Sequence, residues 1–310
     1  MKTFLSLFIL LSGLTAQAGE ALNSKTQMAD LSDRKLAYRS IGKGSPLILA
    51  NRFRGDLDKW DPAFLDALAK NHRVITFDYR GLGRSTGSPA TTHLEMAADV
   101  RDLAKHLKIE RFGMVGWSLG GYVAQLVVTE FPEIVTHGIL IGTRPPGTDV
   151  PAVPKRFFEY SLKPNYDLSD EVELFFSSKY PASKEAAAQS HARIAQRTKD
   201  KDIPFSKEQW ESMLKATGFS NNAYGTMEKM MKTKVPLFVL VGEDDISFPV
   251  EDWFARKGKF PTAQLIYLPQ TGHAPQHQYP ELSANYIHAF LTTKSSLQQG
   301  ADYEGRLSSK

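Results

Sequence analysis

The sequence predicts an α/β fold in which a mostly parallel central sheet carries helices on both faces and a helical insertion. Short apolar runs bounded by turn residues recur along the chain, amphipathic segments lie between them, and this rhythm changes after Thr143. The runs lack the alternation of a half-exposed strand, which is typical of strands buried in a parallel sheet. They occupy residues 47–50, 74–77, 112–115, 138–141, 236–241 and 264–268.

The segments between these runs have helical periodicity. Between the second and third runs, apolar side chains recur at steps of four, three and four residues, at Met96, Val100, Leu103 and Leu107. Thr92 and Glu95 form a capping box at the start of this helix. A second helix is predicted to begin at Ser118 and to be closed by Pro132. Alternating strands and helices build right-handed crossover units, and therefore a sheet covered on both faces.

A hairpin and a final helix complete the predicted core. Residues 28–31 and 35–41, on either side of the turn at 32–34, predict an antiparallel hairpin at the edge of the sheet. An amphipathic helix is predicted around residues 282–291 near the end of the chain.

Residues 143–233 are predicted to form a helical cap, so that the core consists of residues 19–142 and 234–295. The segment opens with prolines and continues with strong helix formers. Its large apolar side chains are expected mostly to form the core of the cap, and the rest to line a pocket. They are Phe157, Phe158, Phe175, Phe176, Trp210, Met227, Met230 and Met231.

The two ends of the chain are predicted to lie outside the fold. Residues 1–18 predict a secretory signal peptide, because Lys2 precedes an apolar stretch and small residues at 16–18 suit a cleavage site. The protein would then be exported to the periplasm or secreted. No later stretch reaches the ~20 apolar residues of a transmembrane helix, so no membrane anchor is expected. Residues 296–310 are polar and are expected to form a flexible tail.

Composition excludes several function classes. The chain has 310 residues, no cysteine and a formal net charge of +4. Without cysteine there are no disulfides, thiolate metal sites or cysteine nucleophiles. No run of lysine and arginine is interleaved with aromatic residues, so nucleic acid is not an expected partner. These features leave the oligomeric state open.

One serine set among glycines is the strongest chemical signal. The string Gly116-Trp117-Ser118-Leu119-Gly120 lies between a predicted buried strand and a predicted helix. A turn that leads directly from strand to helix brings backbone segments close together, and glycine removes the Cβ atoms that would collide. Ser118 would then project at the carboxyl end of the strand, beside the free N–H groups of the helix amino terminus. The pattern predicts a nucleophile.

A serine nucleophile needs a base and a group that orients the base. His273 follows the last predicted strand, and Asp244 and Asp245 follow the strand before it, on the side where ligands gather in open α/β sheets. Charge arguments do not separate the two aspartates. His277 competes with His273, and its spacing of four residues is that of a helical metal pair. Pro275 disfavours the continuous helix that such a pair needs, so no metal is expected.

In the order serine, acid, histidine and in these strand positions, the chain resembles the α/β-hydrolase superfamily. The resemblance covers nearly all of the predicted mature chain and is of the carboxylesterase and cofactor-free haloperoxidase type with a helical cap. Besides the serine motif, it rests on the DxRGxGxS loop at 78–85 and on the histidine loop at 272–275. The resemblance implies a triad of Ser118, His273 and Asp245.

One stretch departs from the family pattern, which usually has His-Gly where this chain has Asn51-Arg52. By position, the resemblance implies that the backbone N–H groups of Phe53 and Leu119 form the oxyanion hole. Arg52 requires a backbone conformation that glycine would tolerate freely, so the path of this loop is left open.

Two arginines and a tryptophan are candidate substrate contacts. Arg52 and Arg54 suggest a site for an anionic substrate such as a carboxylate-bearing ester. The alternative is surface pairing of these arginines with the aspartates at 56, 58 and 61. Trp117, next to the serine, is the third candidate.

The resemblance implies a serine hydrolase that cleaves a small-molecule ester through an acyl-enzyme, with no cofactor. Two alternatives remain, because a fold does not fix a function. The first is a ligand-binding or receptor protein without hydrolytic activity. The second is a lyase or perhydrolase that uses the same triad.

Overall fold

The computed structural model of the protein describes residues 19–147 and 152–293. The strands within these ranges are β1 Gln27–Asp30, β2 Lys35–Ile41, β3 Ser45–Ala50, β4 His72–Phe77, β5 Phe112–Trp117, β6 Val135–Ile141, β7 Leu237–Gly242 and β8 Ala263–Leu268. They form one sheet in the order β1-β2-β4-β3-β5-β6-β7-β8. β1, β2 and β4 pair antiparallel, and all other neighbours pair in parallel. The mostly parallel sheet with an antiparallel hairpin at its edge is confirmed.

Helices cover both faces of this sheet, as the sequence predicts. They are α1 Glu20–Asn23, α2 Pro62–Ala69, α3 His93–His106, α4 Leu119–Glu130, α5 Lys155–Ser161, α6 Leu168–Phe175, α7 Pro181–Ala195, α8 Lys207–Lys215, α9 Thr226–Lys232, α10 Glu251–Phe254, α11 Pro275–Gln278 and α12 Pro280–Thr292, with short 3₁₀ helices at Leu57–Lys59 and Pro132–Ile134. Helices α2 and α12 pack together on one face, and α3 and α4 pack on the other. Each face has its own buried apolar core.

Local sequence signals explain where the crossover helices begin. The Thr92 hydroxyl accepts a hydrogen bond from the Glu95 N–H (3.2 Å), and the Glu95 carboxylate accepts one from the Thr92 N–H (3.1 Å). This capping box satisfies amide groups that the helix itself leaves unpaired. Helix α4 begins at Leu119 rather than at Ser118, because the serine has a non-helical backbone conformation.

The predicted insertion, residues 143–233, contains helices α5 to α9. It lies over the carboxyl ends of the central strands, where the Ala274 N–H donates to the Phe175 carbonyl (2.8 Å). Of its large apolar side chains, Phe175, Phe176, Trp210 and Met230 are buried, whereas Phe158 and Met231 are exposed. The insertion therefore contacts the histidine loop at the carboxyl ends of the strands.

A buried aspartate joins three segments of the core. The Asp99 side chain, on α3, is fully buried and accepts hydrogen bonds from Arg34 Nε (2.8 Å) and Arg80 Nε (2.9 Å). It also accepts one from the Arg80 backbone N–H (3.0 Å). Arg34 comes from the β1–β2 turn, and Arg80 from the loop after β4. One carboxylate thus holds the edge hairpin, this loop and α3 together.

The predicted signal peptide (1–18) and polar tail (296–310) lie outside the described residues, so export remains a prediction. Among the helices of the described ranges, none combines the length and the apolar character needed to cross a membrane.

Candidate active site

Ser118 lies at a tight turn between β5 and α4. Its backbone angles, φ 59° and ψ −118°, are sparsely populated by residues other than glycine. A Cβ atom on Gly116 would lie 2.1 Å from the Gly120 carbonyl oxygen, and one on Gly120 would lie 2.0 Å from the Ala50 carbonyl oxygen. Both glycines are therefore required by close backbone contacts. The turn presents Ser118 at the carboxyl end of β5.

His273 and Asp245 form a buried pair beside this turn. The distance between His273 Nδ1 and Asp245 Oδ2 is 2.7 Å, and both side chains are almost fully buried. The other carboxylate oxygen of Asp245 accepts hydrogen bonds from the N–H groups of Ser247 (2.7 Å) and Phe248 (2.9 Å). Those bonds fix the carboxylate, which in turn fixes the plane of the imidazole and leaves Nε2 available.

Asp244 has different partners from its neighbour Asp245. Its carboxylate accepts a hydrogen bond from the Ser177 hydroxyl (2.9 Å) and pairs with Lys179, both from the cap. The structure therefore brings Asp245, and not Asp244, to His273.

Ser118 and His273 line the same small cavity between core and cap. Its other core residues are Arg52 and Phe53, and its cap residues are Phe157, Ser161, Tyr166, Leu174 and Phe175. The cavity volume is about 10 Å³, roughly what one water molecule needs. No direct hydrogen bond joins Ser118 to His273 in the described part of the chain. The cavity is therefore narrow, with room for little more than one water molecule beside Ser118.

The loop after β3 fixes its own backbone with the two side chains that depart from the family pattern. Asn51 Oδ1 accepts a hydrogen bond from the Arg52 N–H (2.8 Å), and Asn51 Nδ2 donates to the Asp56 carbonyl (2.8 Å). Arg52 Nη1 donates to the Phe53 carbonyl (2.7 Å). The N–H groups of Phe53 and Leu119 donate to no other described residue. Both amides are thus unpaired next to Ser118.

Arg52 and Arg54 have different surroundings. The Arg52 side chain is buried, lines the cavity and lies over the rings of Phe175 and Trp117, at 4.3 and 5.3 Å from Cζ to the ring centres. Arg54 binds the cap instead, donating to the carbonyl oxygens of Ser161 (3.0 Å), Lys163 (2.6 Å) and Pro164 (2.7 Å).

The tryptophan candidate lies beneath the cavity rather than in its lining. Trp117 is fully buried, and its indole N–H donates to the His273 carbonyl (2.9 Å). This bond ties the serine turn directly to the histidine loop.

A family comparison agrees with this geometry. Residues 46–280 match the α/β hydrolase fold family. The chain belongs to the α/β-hydrolase fold family. A solved α/β hydrolase fold protein from Chitinophaga pinensis has a TM-score of 0.78 and 26% sequence identity, over 88% of this chain and 99% of that one. The superfamily predicted from the sequence is confirmed, and membership supports a hydrolase activity.

Two curated relatives match shorter stretches of this family member. A Mycobacterium tuberculosis protein named as a non-heme bromoperoxidase, BpoC, is 36% identical over 110 residues, which are 35% of this chain and 42% of that relative. A Rhizobium rhizogenes protein named as a carbamate hydrolase, RutD, is 36% identical over 97 residues, which are 31% of this chain and 37% of the relative. The chain thus aligns with less than half the length of each.

His277, the other histidine candidate of this α/β-hydrolase fold protein, is packed in the protein interior. His277 lies against Trp117, and its Nε2 accepts a hydrogen bond from the Asp61 N–H (3.3 Å). Burial lowers the pKa of His277 to about 4, so the ring is neutral at physiological pH. Within residues 19–147 and 152–293, no group of three or more histidine, aspartate or glutamate side chains is placed to hold a metal.

Buried carboxyl groups lie beneath the loop after β3, a feature that the sequence analysis missed. Burial raises the pKa of Asp56 to about 6, with a further contribution from the nearby carboxylate of Asp202. Burial and the same neighbour raise the pKa of Asp78 well above its usual range. Both shifts have the same cause, the burial of several carboxyl groups close to one another.

Replacement of Asp56 by asparagine is expected to remove a pH-dependent loss of stability. The pKa of Asp56 is about 4 in the unfolded chain and about 6 in the native state. At pH values between these two, the folded protein holds a proton that the unfolded chain has released. Wild-type stability therefore falls as pH rises through this window. Urea unfolding should show Asp56→Asn gaining about 2 kcal/mol relative to wild type between pH 4 and pH 8. A constant difference across this range would contradict the assignment.

Proposed function

We propose that the protein is a serine hydrolase that cleaves small-molecule esters through an acyl-enzyme. The observation that carries this proposal is the buried His273–Asp245 pair beside Ser118, with both Ser118 and the imidazole lining one cavity. A serine hydroxyl is weakly nucleophilic at neutral pH and becomes reactive when an oriented imidazole accepts its proton. Nothing about ligand binding alone requires these three groups in this arrangement.

The reaction begins when Ser118 rotates its hydroxyl toward His273 Nε2 as substrate binds. Such hydrogen bonds are often long or absent in unliganded enzymes and form in the substrate complex. Ser118 Oγ attacks the acyl carbon while Nε2 accepts the hydroxyl proton. The tetrahedral intermediate then collapses, the alcohol leaves with the proton returned from Nε2, and the acyl group stays on Ser118. Water attacks this acyl-enzyme by the same route, releasing the acid and restoring the serine.

The unpaired N–H groups of Phe53 and Leu119 form the oxyanion hole in this proposal. The Leu119 amide lies in the first turn of α4, where the helix dipole also favours negative charge. The Phe53 amide is held by the bonds that Asn51 and Arg52 make within the loop. A single donor of this kind typically contributes ~3 kcal/mol to transition-state stabilisation.

An activity-based probe tests the proposal and separates it from its alternatives. The protein is incubated with a fluorophosphonate, the labelled peptide is mapped, and short-chain esters and carbamates are assayed for turnover. Labelling at Ser118 with ester turnover supports the proposal. Turnover of carbamates but not of esters would instead indicate a carbamate hydrolase, the activity for which the Rhizobium rhizogenes relative is named. Labelling without hydrolysis would favour lyase or perhydrolase chemistry, and no labelling would favour a binding protein.

Removal of the Arg54 guanidinium is expected to loosen the cap. Arg54→Ala removes three hydrogen bonds from the core loop to cap carbonyls, and bonds to a charged donor contribute ~1.5–3 kcal/mol each. The ratio of kcat/KM for a long-chain ester to that for an acetate ester should rise several-fold, because the narrow cavity leaves little room for larger substrates. Lys163→Met is the control, since it breaks an ion pair within the cap, with Asp170, and leaves the core contact intact. An equal ratio in wild type and Arg54→Ala would contradict this role.

A further inference from the structure

Arg52 is a buried cation without a counter-ion. Its residue is only 5% exposed, and no carboxylate of the described chain lies within 4.0 Å of its guanidinium. Of its five N–H donors, one is used, by the bond from Nη1 to the Phe53 carbonyl, and the buried Nε has no partner. A buried charge in this condition is costly to the fold.

Three other buried arginines of the described chain are neutralised by aspartates. Arg34 binds Asp99, Arg39 binds Asp58 and Arg144 binds Asp252, each through a short ion pair. The chain therefore supplies an aspartate where a buried guanidinium serves the fold. At Arg52 it supplies the Phe53 carbonyl and the faces of Phe175 and Trp117, which attract a cation more weakly than a carboxylate does.

The unused donors of Arg52 lie at the reaction site. Arg52 lines the same cavity as Ser118 and His273, and its neighbour in sequence is Phe53, which carries one of the unpaired amides. Besides the imidazole, the other lining side chains are aromatic, aliphatic or hydroxyl-bearing, and none is a carboxylate or a second guanidinium. A guanidinium binds a carboxylate through two parallel N–H···O bonds, and such a bond is strong where water is excluded.

We propose that the substrates of this enzyme are esters that carry a carboxylate, and that the Arg52 guanidinium binds this group while Ser118 attacks the ester carbon. The inference rests on the proposed hydrolase function and adds the substrate class. The carboxylate lies a few bonds from the reacting carbonyl, because Arg52 and Ser118 line the same cavity. The substrate carboxylate thus provides the counter-ion that Arg52 lacks among the described residues.

Matched substrates that differ only in charge test this proposal. Monomethyl esters of succinate, glutarate and adipate place the carboxylate on the acyl side, and acetoxyacetate places it on the alcohol side. Each is compared with its primary amide, which has nearly the same shape and no charge. Wild-type kcat/KM should favour at least one carboxylate over its amide by 10-fold or more.

Two variants assign the preference to one side chain. Arg52→Met should lower the carboxylate-to-amide ratio by about 10- to 100-fold, and Arg52→Lys should restore part of it. Arg54→Met is the matched control, because it removes a guanidinium two residues away that binds cap carbonyls. It should lower or raise both rates together and keep the ratio. A wild-type ratio near one, or an unchanged ratio in Arg52→Met, would overturn the proposal.

Binding to an inactive variant keeps the test decisive if Arg52→Met does not fold. Calorimetry on Ser118→Ala, which retains Arg52, should show the best hemiester binding at least 10-fold more tightly than its amide, and added salt should reduce the difference. Equal binding would overturn the proposal. If a fluorophosphonate labels Ser118 but no carboxylate preference exists, only this inference fails. If neither labelling nor turnover occurs while Ser118→Ala binds carboxylates preferentially, the hydrolase function fails and the anion site stands.

Discussion

Replacement of Ser118 by alanine should lower kcat for ester hydrolysis by about 10⁴- to 10⁶-fold and abolish fluorophosphonate labelling. In serine hydrolases, loss of the nucleophile alone removes nearly all the benefit of the triad, because the histidine and aspartate act only through it. Alanine keeps a Cβ atom, so the buried turn between Gly116 and Gly120 retains its packing. The measurement is single-turnover ester hydrolysis, together with a thermal melt to verify folding.

A second serine in the same cavity supplies the control. Ser161 lines the cavity from the cap, and its buried hydroxyl has no hydrogen-bond partner among the described residues. It lies at the end of α5 and not at a strand-to-helix turn such as the one that presents Ser118. Ser161→Ala should therefore retain labelling at position 118. Loss of labelling in Ser161→Ala but not in Ser118→Ala would show that Ser161, and not Ser118, is the nucleophile.

Replacement of Asp99 by alanine should lower the free energy of unfolding by about 3–5 kcal/mol. The change leaves the guanidinium groups of Arg34 and Arg80 near a cavity with no shared carboxylate, and the penalty for breaking a buried ion pair on one side is of this size. It also detaches the edge hairpin and the loop after β4 from α3. Urea unfolding followed by far-UV circular dichroism measures the loss.

Asp102, one turn further along the same helix, is the matched comparison. Its partly exposed carboxylate also binds Arg34 (2.6 Å), yet Asp102→Ala leaves Arg34 paired with Asp99. Because partly exposed ion pairs contribute little, the expected loss is below about 1 kcal/mol. Equal losses for the two alanine variants would show that burial of Asp99 has no special role.

The strands and crossover helices were predictable because their signals are local. Each predicted parallel strand is present, and the observed ends shift by a few residues, as at β6, which begins at Val135 rather than at residue 138. The capping box at Thr92 fixes the start of α3 by itself. Helix α2 was missed although Asp61 and Pro62 are a helix start signal, because it is only eight residues long and Asp66 is its single polar residue, so no helical alternation of polar and apolar residues is visible.

Motifs in the sequence predicted which residues belong to the site, but not which partners those residues have in three dimensions. Adjacent Asp244 and Asp245 could not be separated by charge, since the difference lies in their tertiary partners: Lys179 for one and His273 for the other. The partners of Arg54 are cap carbonyls 107 to 110 residues further along the chain, which no local pattern reveals. Likewise, the isolation of the Arg52 charge depends on which acidic residues fail to reach it in three dimensions.

Arg52, Phe53 and Arg54 are consecutive residues of one loop, so a movement of the cap affects all three. Arg54 binds the cap, Arg52 lies over a cap ring, that of Phe175, and Phe53 between them carries the amide proposed for the oxyanion hole. If the cap moved away, the loop would lose the hydrogen bonds of Arg54 and the contact of Arg52 with the Phe175 ring, and would keep only the bonds within the loop. In the proposed mechanism, the Phe53 amide is therefore expected to be held most firmly while the cap is docked.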